Sequence, residues 1–192
     1  DEDPTSPSTH EGVFAQRFSS DGTALGTEFQ VNTYTVDYQH HQSIGMDAEG
    51  DFVIAWHSNQ LEAISFSDIF AQRFASSGAP LGGEFSVNSY TPMFQEDTAI
   101  VMEEDGDFVV VWDSESADGD GYGVFGKRFD SAGAAQSGDF QINSYTPGYQ
   151  DRPAVTRSVD GVFVVVWQSS GGQDSYGYGV FAKRFGPAAL LD

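Results

Sequence analysis

The chain of 192 residues carries 29 acidic against 8 basic side chains, a net charge of -21, and no cysteine. A charge of that sign repels nucleic acid and anionic membrane surfaces, and without cysteine there is neither a disulfide framework nor a thiolate metal site. No apolar run approaches the roughly 20 residues that span a bilayer, Asp1-Glu2-Asp3-Pro4 does not open a signal peptide, and the acidic, Gly- and Tyr-rich composition points to a soluble, secreted bacterial protein.

Residues 1–11 are polar and without periodicity, which predicts a flexible lead-in. From Gly12 a repeat takes over. Its first unit, Val13-Phe14-Ala15-Gln16-Arg17-Phe18, returns at Ile69–Phe74, Val124–Phe129 and Val180–Phe185 and reads as a strand with Phe at both ends. Gly22, Gly78 and Gly133 close the turns after the first three copies, where a positive φ is needed. The next unit, Glu28-Phe29-Gln30-Val31-Asn32, repeated at Glu84–Asn88 and Asp139–Asn143, alternates and predicts a half-exposed outer strand.

An irregular link follows at 33–39, 89–95 and 144–150, where Pro92 and Pro147 forbid a continuous ladder. Asn32, Asn88 and Asn143, with Gln39, Gln95 and Gln150, either line a repeated pocket or, the favoured reading, satisfy backbone groups of the link. A weaker strand, clearest at Thr98–Met102, leads to Asp105-Gly106 and its counterpart Asp160-Gly161, dipeptides suited to type I′ turns. Then come the runs Phe52–Trp56, Phe108–Trp112 and Phe163–Trp167, apolar almost throughout and therefore expected to be buried on both faces.

Four short strands in about 55 residues are the size and pattern of a propeller blade. The expected fold is all-β and propeller-like, with about three four-stranded blades over residues 12–186 and a tail at 187–192. The Arg-Phe unit occurs four times and each other unit three times. That predicts an open ring, completed by another copy of the chain or by further sequence.

The loop between the Trp strand and the Arg-Phe strand is richest in ligand-type residues. Asp118 and Asp120, and separately Asp174, resemble oxygen ligands for calcium on a sharp turn, although Asp and Gly also simply form turns. Tyr122, Tyr176 and Tyr178, with Gln173 beside them, either present flat rings and hydrogen bonds to a sugar or pack over the neighbouring blade. His40 and His41 are adjacent in an incipient strand, so regular alternation sends them to opposite faces and away from a shared metal. The arginines of the Arg-Phe strands are expected to pair with buried carboxylates. No nucleophile elbow, His-Glu-x-x-His pair or phosphate loop occurs, and among 29 acids no pair stands out for glycoside chemistry.

With Gly12–Phe18, Phe29–Asn32, Asp105–Trp112 and Asp120–Phe125, the chain resembles repeats of large secreted bacterial proteins that also carry hemolysin-type calcium-binding or cadherin-like modules. Its blades are similar to the FG-GAP type but lack that family's full Asp-x-Asp-x-Asp-Gly loop. Ser19–Thr23 is similar to the Asp box of sialidase propellers without its Trp, so no sialidase activity follows. The resemblance implies an extracellular, non-enzymatic adhesion or binding module with calcium, and the loop tyrosines make carbohydrate its expected ligand. The alternatives are a self-assembling structural module that forms homo-oligomers through open blade edges and, behind it, a polysaccharide-active glycosidase or lyase.

Overall fold

The computed structural model describes residues 11–36, 38–60 and 66–186. All but the last residue of the lead-in, the whole tail and part of the first-repeat loop lie outside the described residues. What is described is all strand and turn: β1 (Phe14–Ala15), β2 (Phe29–Gln30), β3 (Gln39–Met46), β4 (Phe52–Ser58), β5 (Asp68–Phe74), β6 (Phe85–Ser86), β7 (Gln95–Met102), β8 (Phe108–Glu115), β9 (Tyr122–Phe129), β10 (Phe140–Gln141), β11 (Gln150–Arg157), β12 (Phe163–Ser169) and β13 (Gly179–Phe185). Among the described residues no helix is long and apolar enough to cross a membrane.

The strands form antiparallel sheets in the orders β3-β4-β5-β6, β7-β8-β9-β10 and β11-β12-β13, with β1-β2 as a fourth, two-stranded sheet. These are the propeller blades that the repeat predicts. The first strands β3 and β7 face each other: Ser43 Oγ lies 2.8 Å from Thr98 Oγ1, and a Cβ on Gly45 would stand 2.6 Å from the Ile100 side chain. β11 reaches β7 in turn, Arg157 Nη1 donating to Met102 O at 3.3 Å. Hence β3, β7 and β11 are the inner strands, nearest the axis.

The cores lie between blades rather than within them. Val53, Ala55 and Ile69 of one blade meet Phe108, Val110 and Trp112 of the next, and Val109, Val111 and Val124 meet Phe163, Val165 and Trp167. Such two-sided packing is why the Trp strands lose in-out alternation. β4 is buried throughout, and so is β8 up to its last residue. β12 departs from this expectation, with Val166 37% exposed, because no described blade covers its outer side. Apolar side chains also stand open at both ends of the arc, Ile44 and Met46 on β3 and Val180 on β13.

Three local readings change. The Asp-Gly hairpins are not type I′: at 103–107 only Gly106 has positive φ (91°), while Gly106 N donates to Glu103 O at 3.1 Å and Glu103 N to Asp107 O at 2.6 Å. This is a type I turn closed by a glycine bulge. Of the strand arginines, Arg128 does meet a carboxylate, Glu103 at 3.2 Å. Arg17 and Arg73 instead donate to turn carbonyls of the next blade, Ser76 O at 2.6 Å and Ala132 O at 2.7 Å, because turn carbonyls lack ladder partners. The third change concerns the inner strands and belongs with the site.

The recurring Asn and Gln do satisfy the link. Asn143 Oδ1 accepts from Val124 N at 2.9 Å, its Nδ2 donates to Tyr145 O at 3.0 Å and Gln150 Oε1 at 3.1 Å, and Gln150 Nε2 donates to Pro147 O at 3.0 Å. Asn32 bonds Val13 N in the same way, and Asn88 bonds Ile69 N.

Candidate active site at the mouth of the propeller axis

Each inner strand carries an irregularity at the same place. The register shifts between His40 and Ser43, between Glu96 and Ala99 and between Asp151 and Ala154, so that two residues oppose the single Trp of the neighbouring strand. The second residue after the recurring Gln takes a left-handed backbone in all three, His41 at φ 52°, Asp97 at 42° and Arg152 at 54°. Non-glycine residues held there cost on the order of 1–3 kcal/mol each and concentrate at functional sites. The six bulge residues His41, Gln42, Asp97, Thr98, Arg152 and Pro153 line one open depression of about 460 Å³.

Behind each bulge stands a cross-strand pair. His40 lies opposite His57, Glu96 opposite Asp113 and Asp151 opposite Gln168. Three equivalent positions per blade therefore hold three histidines in the first, three acids in the second, and Asp, Arg and Gln in the third.

The acids are electrostatically uneven. Burial raises Asp113 well above the ordinary carboxylate range, the charges of Asp97, Glu96 and Asp151 push it further, and the bond from Arg152 N (3.0 Å) opposes this only in part. The whole residue is 2% exposed, and burial of that degree favours the neutral carboxyl. Glu96 is raised too, by burial and then by Asp97. The Tyr122 hydroxyl, 3.4 Å from Glu96 Oε2, donates to it. Burial and then the charge of Glu96 hold that hydroxyl protonated well above its usual range. Asp151 presents a buried Oδ1 without a hydrogen-bond partner, while Asp97 binds His41 Nδ1 at 2.6 Å.

The histidine reading changes for a physical reason. Alternation holds only in regular strand, and the bulge rotates His41 back beside His40, with ring centroids 4.5 Å apart. Both approach His57, at 3.9 Å from His40 and 4.8 Å from His41.

Of the residues singled out from the sequence, Tyr122 belongs to this site, its ring stacked on Tyr149 at 5.8 Å. Tyr176 and Tyr178 stand in solvent on the loop after β12, where Gln173 keeps a buried Oε1 without a hydrogen-bond partner. Of the three aspartates proposed for calcium, Asp118 and Asp120 tie their loop to the link at 143–148, and Asp174 closes its own turn. Asp118 accepts from Asn143 Nδ2 at 2.8 Å, Asp120 from Gly148 N at 3.2 Å and Asp174 from Tyr176 N at 3.1 Å. Apart from His40 and His41, the residues at and beside the bulges carry no motif that marks them in the sequence. The signal available was that the residues after each Gln, and after each Trp, change chemistry from copy to copy while their surroundings do not.

No family model and no curated protein matches the sequence. Solved structures do match the fold. An endo-arabinase from Bacteroides thetaiotaomicron is 18% identical with a TM-score of 0.52, covering 87% of this chain and 63% of its own. A thermostable family-43 glycoside hydrolase is 15% identical with a TM-score of 0.55, covering 91% and 68%. A Hadza microbial sialidase is 10% identical with a TM-score of 0.64, covering 96% of this chain and 40% of its own. At these identities the likeness establishes the propeller fold. The chain spans less than two thirds of the length of the endo-arabinase.

The expectation of a non-enzymatic adhesion or binding module is corrected here. The propellers that this chain resembles are carbohydrate-cleaving enzymes by name, and an expectation built on exposed loop residues overlooked the carboxyls gathered at the inner strands.

Proposed function

We propose that the chain is a carbohydrate-active enzyme that hydrolyses glycosidic bonds at the axial depression. The observation that carries this reading is the gathering of Glu96, Asp97 and Asp151 within electrostatic reach of the buried Asp113, beside that depression. Glycoside cleavage needs one carboxyl that keeps its proton and one that has lost it. Glu96, raised by burial and then by the charge of Asp97 against the lowering effect of the Tyr122 hydrogen bond, is the proton donor to the leaving oxygen. Asp151, at the equivalent position of the adjacent inner strand, takes the proton of the attacking water. Asp113, almost wholly buried, is a positioning residue that holds the bulge of the adjacent inner strand by accepting from Arg152 N at 3.0 Å. Arg152 and Thr98 line the depression and offer hydrogen bonds to sugar hydroxyls.

The names of the similar structures make arabinose- and sialic-acid-containing glycans the first substrates to try. The acidic, cysteine-free composition supports a secreted setting, where such polymers are met. Purified chain incubated with arabinan, arabino-oligosaccharides and sialyl-oligosaccharides should release reducing ends or free sialic acid. No turnover across that panel, from protein of verified fold, overturns the reading.

The apolar faces open at Ile44, Met46 and Val180 support a second proposal, that two copies of the chain close one ring. Light scattering at micromolar concentration should then give twice the chain mass of 20.8 kDa; a compact monomer overturns it.

A further inference from the structure

We infer that His40, His41 and His57 bind a single divalent d-block cation of the zinc type. Theirs is the one group of at least three His or acidic residues among the described residues whose ligand atoms all lie within 4.8 Å of one another. The three rings are mutually tilted or edge-on, with interplanar angles of 79°, 69° and 39°, rather than stacked flat. Nitrogen lone pairs of such rings can converge on one point, whereas parallel stacked rings aim past each other.

Independent features point to a ligand. His57 is 3% exposed and its Nδ1 has no hydrogen-bond partner, a costly condition for a buried polar atom unless something binds there. His41 offers its Nδ1 to Asp97 at 2.6 Å, the carboxylate-histidine contact that fixes the tautomer and frees Nε2 for a metal. The bulge that joins His41 to His40 is strained, and strain of this kind persists where a site uses it.

Donor type selects the cation. Imidazole suits zinc and its d-block neighbours, whereas calcium takes oxygen donors. Three protein ligands leave a coordination position open, the pattern of catalytic rather than structural zinc. His41 also lines the axial depression, so that open position is within reach of solvent. The inference stands apart from the glycosidic reading: its three ligands take no part in that chemistry, only Asp97 is shared between the two, and its test needs no turnover.

The experiment is calorimetric titration of chelator-treated protein with zinc chloride, repeated with cobalt(II) under visible spectroscopy and with calcium chloride. Expected are one zinc per chain, a rise in melting temperature with zinc by mass action, cobalt d–d bands of four-coordinate intensity and no calcium response that the histidine variants remove. His57→Ala should lose zinc binding. Because His57 is buried and that variant can fail to fold, the half-exposed His41→Ala is the second test and should weaken binding by about 100-fold. Asp97→Asn, which leaves all three rings in place, should weaken it by about 10-fold. Absence of zinc binding, or binding that His41→Ala leaves unchanged in protein of normal melting temperature, overturns the inference.

Discussion

Glu96→Gln lowers glycosidic turnover by about 100- to 10,000-fold, the usual worth of a positioned general acid. The amide keeps the size of the side chain and accepts the Tyr122 hydrogen bond, so binding changes little and the loss falls on kcat. The sign of the pH dependence follows from the environment of Glu96. Burial and then the neighbouring Asp97 raise its carboxyl above the ordinary range, and the acid form persists to higher pH than in an exposed Glu. Wild-type activity therefore declines as pH climbs through that raised value, and the variant lacks this alkaline limb. Linkage runs the same way for stability. A raised carboxyl contributes fully below its unfolded-state value and loses that contribution as pH rises through the folded one. Gln does not titrate, so the variant should melt higher than wild type at neutral pH while being nearly inactive. Aryl glycosides, whose leaving oxygen needs little protonation, should be hydrolysed with a much smaller deficit. A variant that keeps both its rate and its pH profile removes Glu96 from the mechanism.

Trp112→Ala costs about 3–5 kcal/mol of folding stability, the range for truncating a large buried aromatic. For a chain of this size that is a fall in melting temperature of roughly 10 °C. Trp112 is 1% exposed and sits in the apolar layer between two complete blades, against the layer of Val53, Ala55 and Ile69. Neither side can collapse into the void without pulling a sheet from its neighbour. Trp167, in the blade with one uncovered face, is 5% exposed, and Trp167→Ala should cost measurably less. Urea unfolding of both variants checks the order. Equal losses would mean that the blades do not support one another through their central layers. Trp112 also lies opposite the bulge that carries Asp97 and Thr98, so its removal should reduce turnover in the fraction that stays folded.

The repeat was legible because its strands obey simple periods. Phe108–Trp112 reads as a two-sided core strand because every residue in it is apolar, and Asn143 with Gln150 reads as a satisfied link because Pro147 leaves backbone groups to be paired. The site was not legible because it depends on a sign of φ that side-chain type does not announce. Asp tolerates the left-handed region, but Arg152 has no such preference, and only the three-dimensional register shows that it shares a slot with His41 and Asp97. Once alternation fails at that slot, any reading that assigns neighbours to opposite faces fails with it. The arginines misled for a related reason. A cation in an acidic chain implies a carboxylate partner, yet Arg17 and Arg73 are spent on carbonyl oxygens, which composition does not reveal.

The bulge occurs once per blade with the same backbone and different occupants, so the scaffold behaves as a row of identical sockets. Exchanging two or three side chains in one socket alters what it can hold or protonate without disturbing the sheets that carry it. Descendants of a duplicated blade can in this way diversify in chemistry while their architecture stays still.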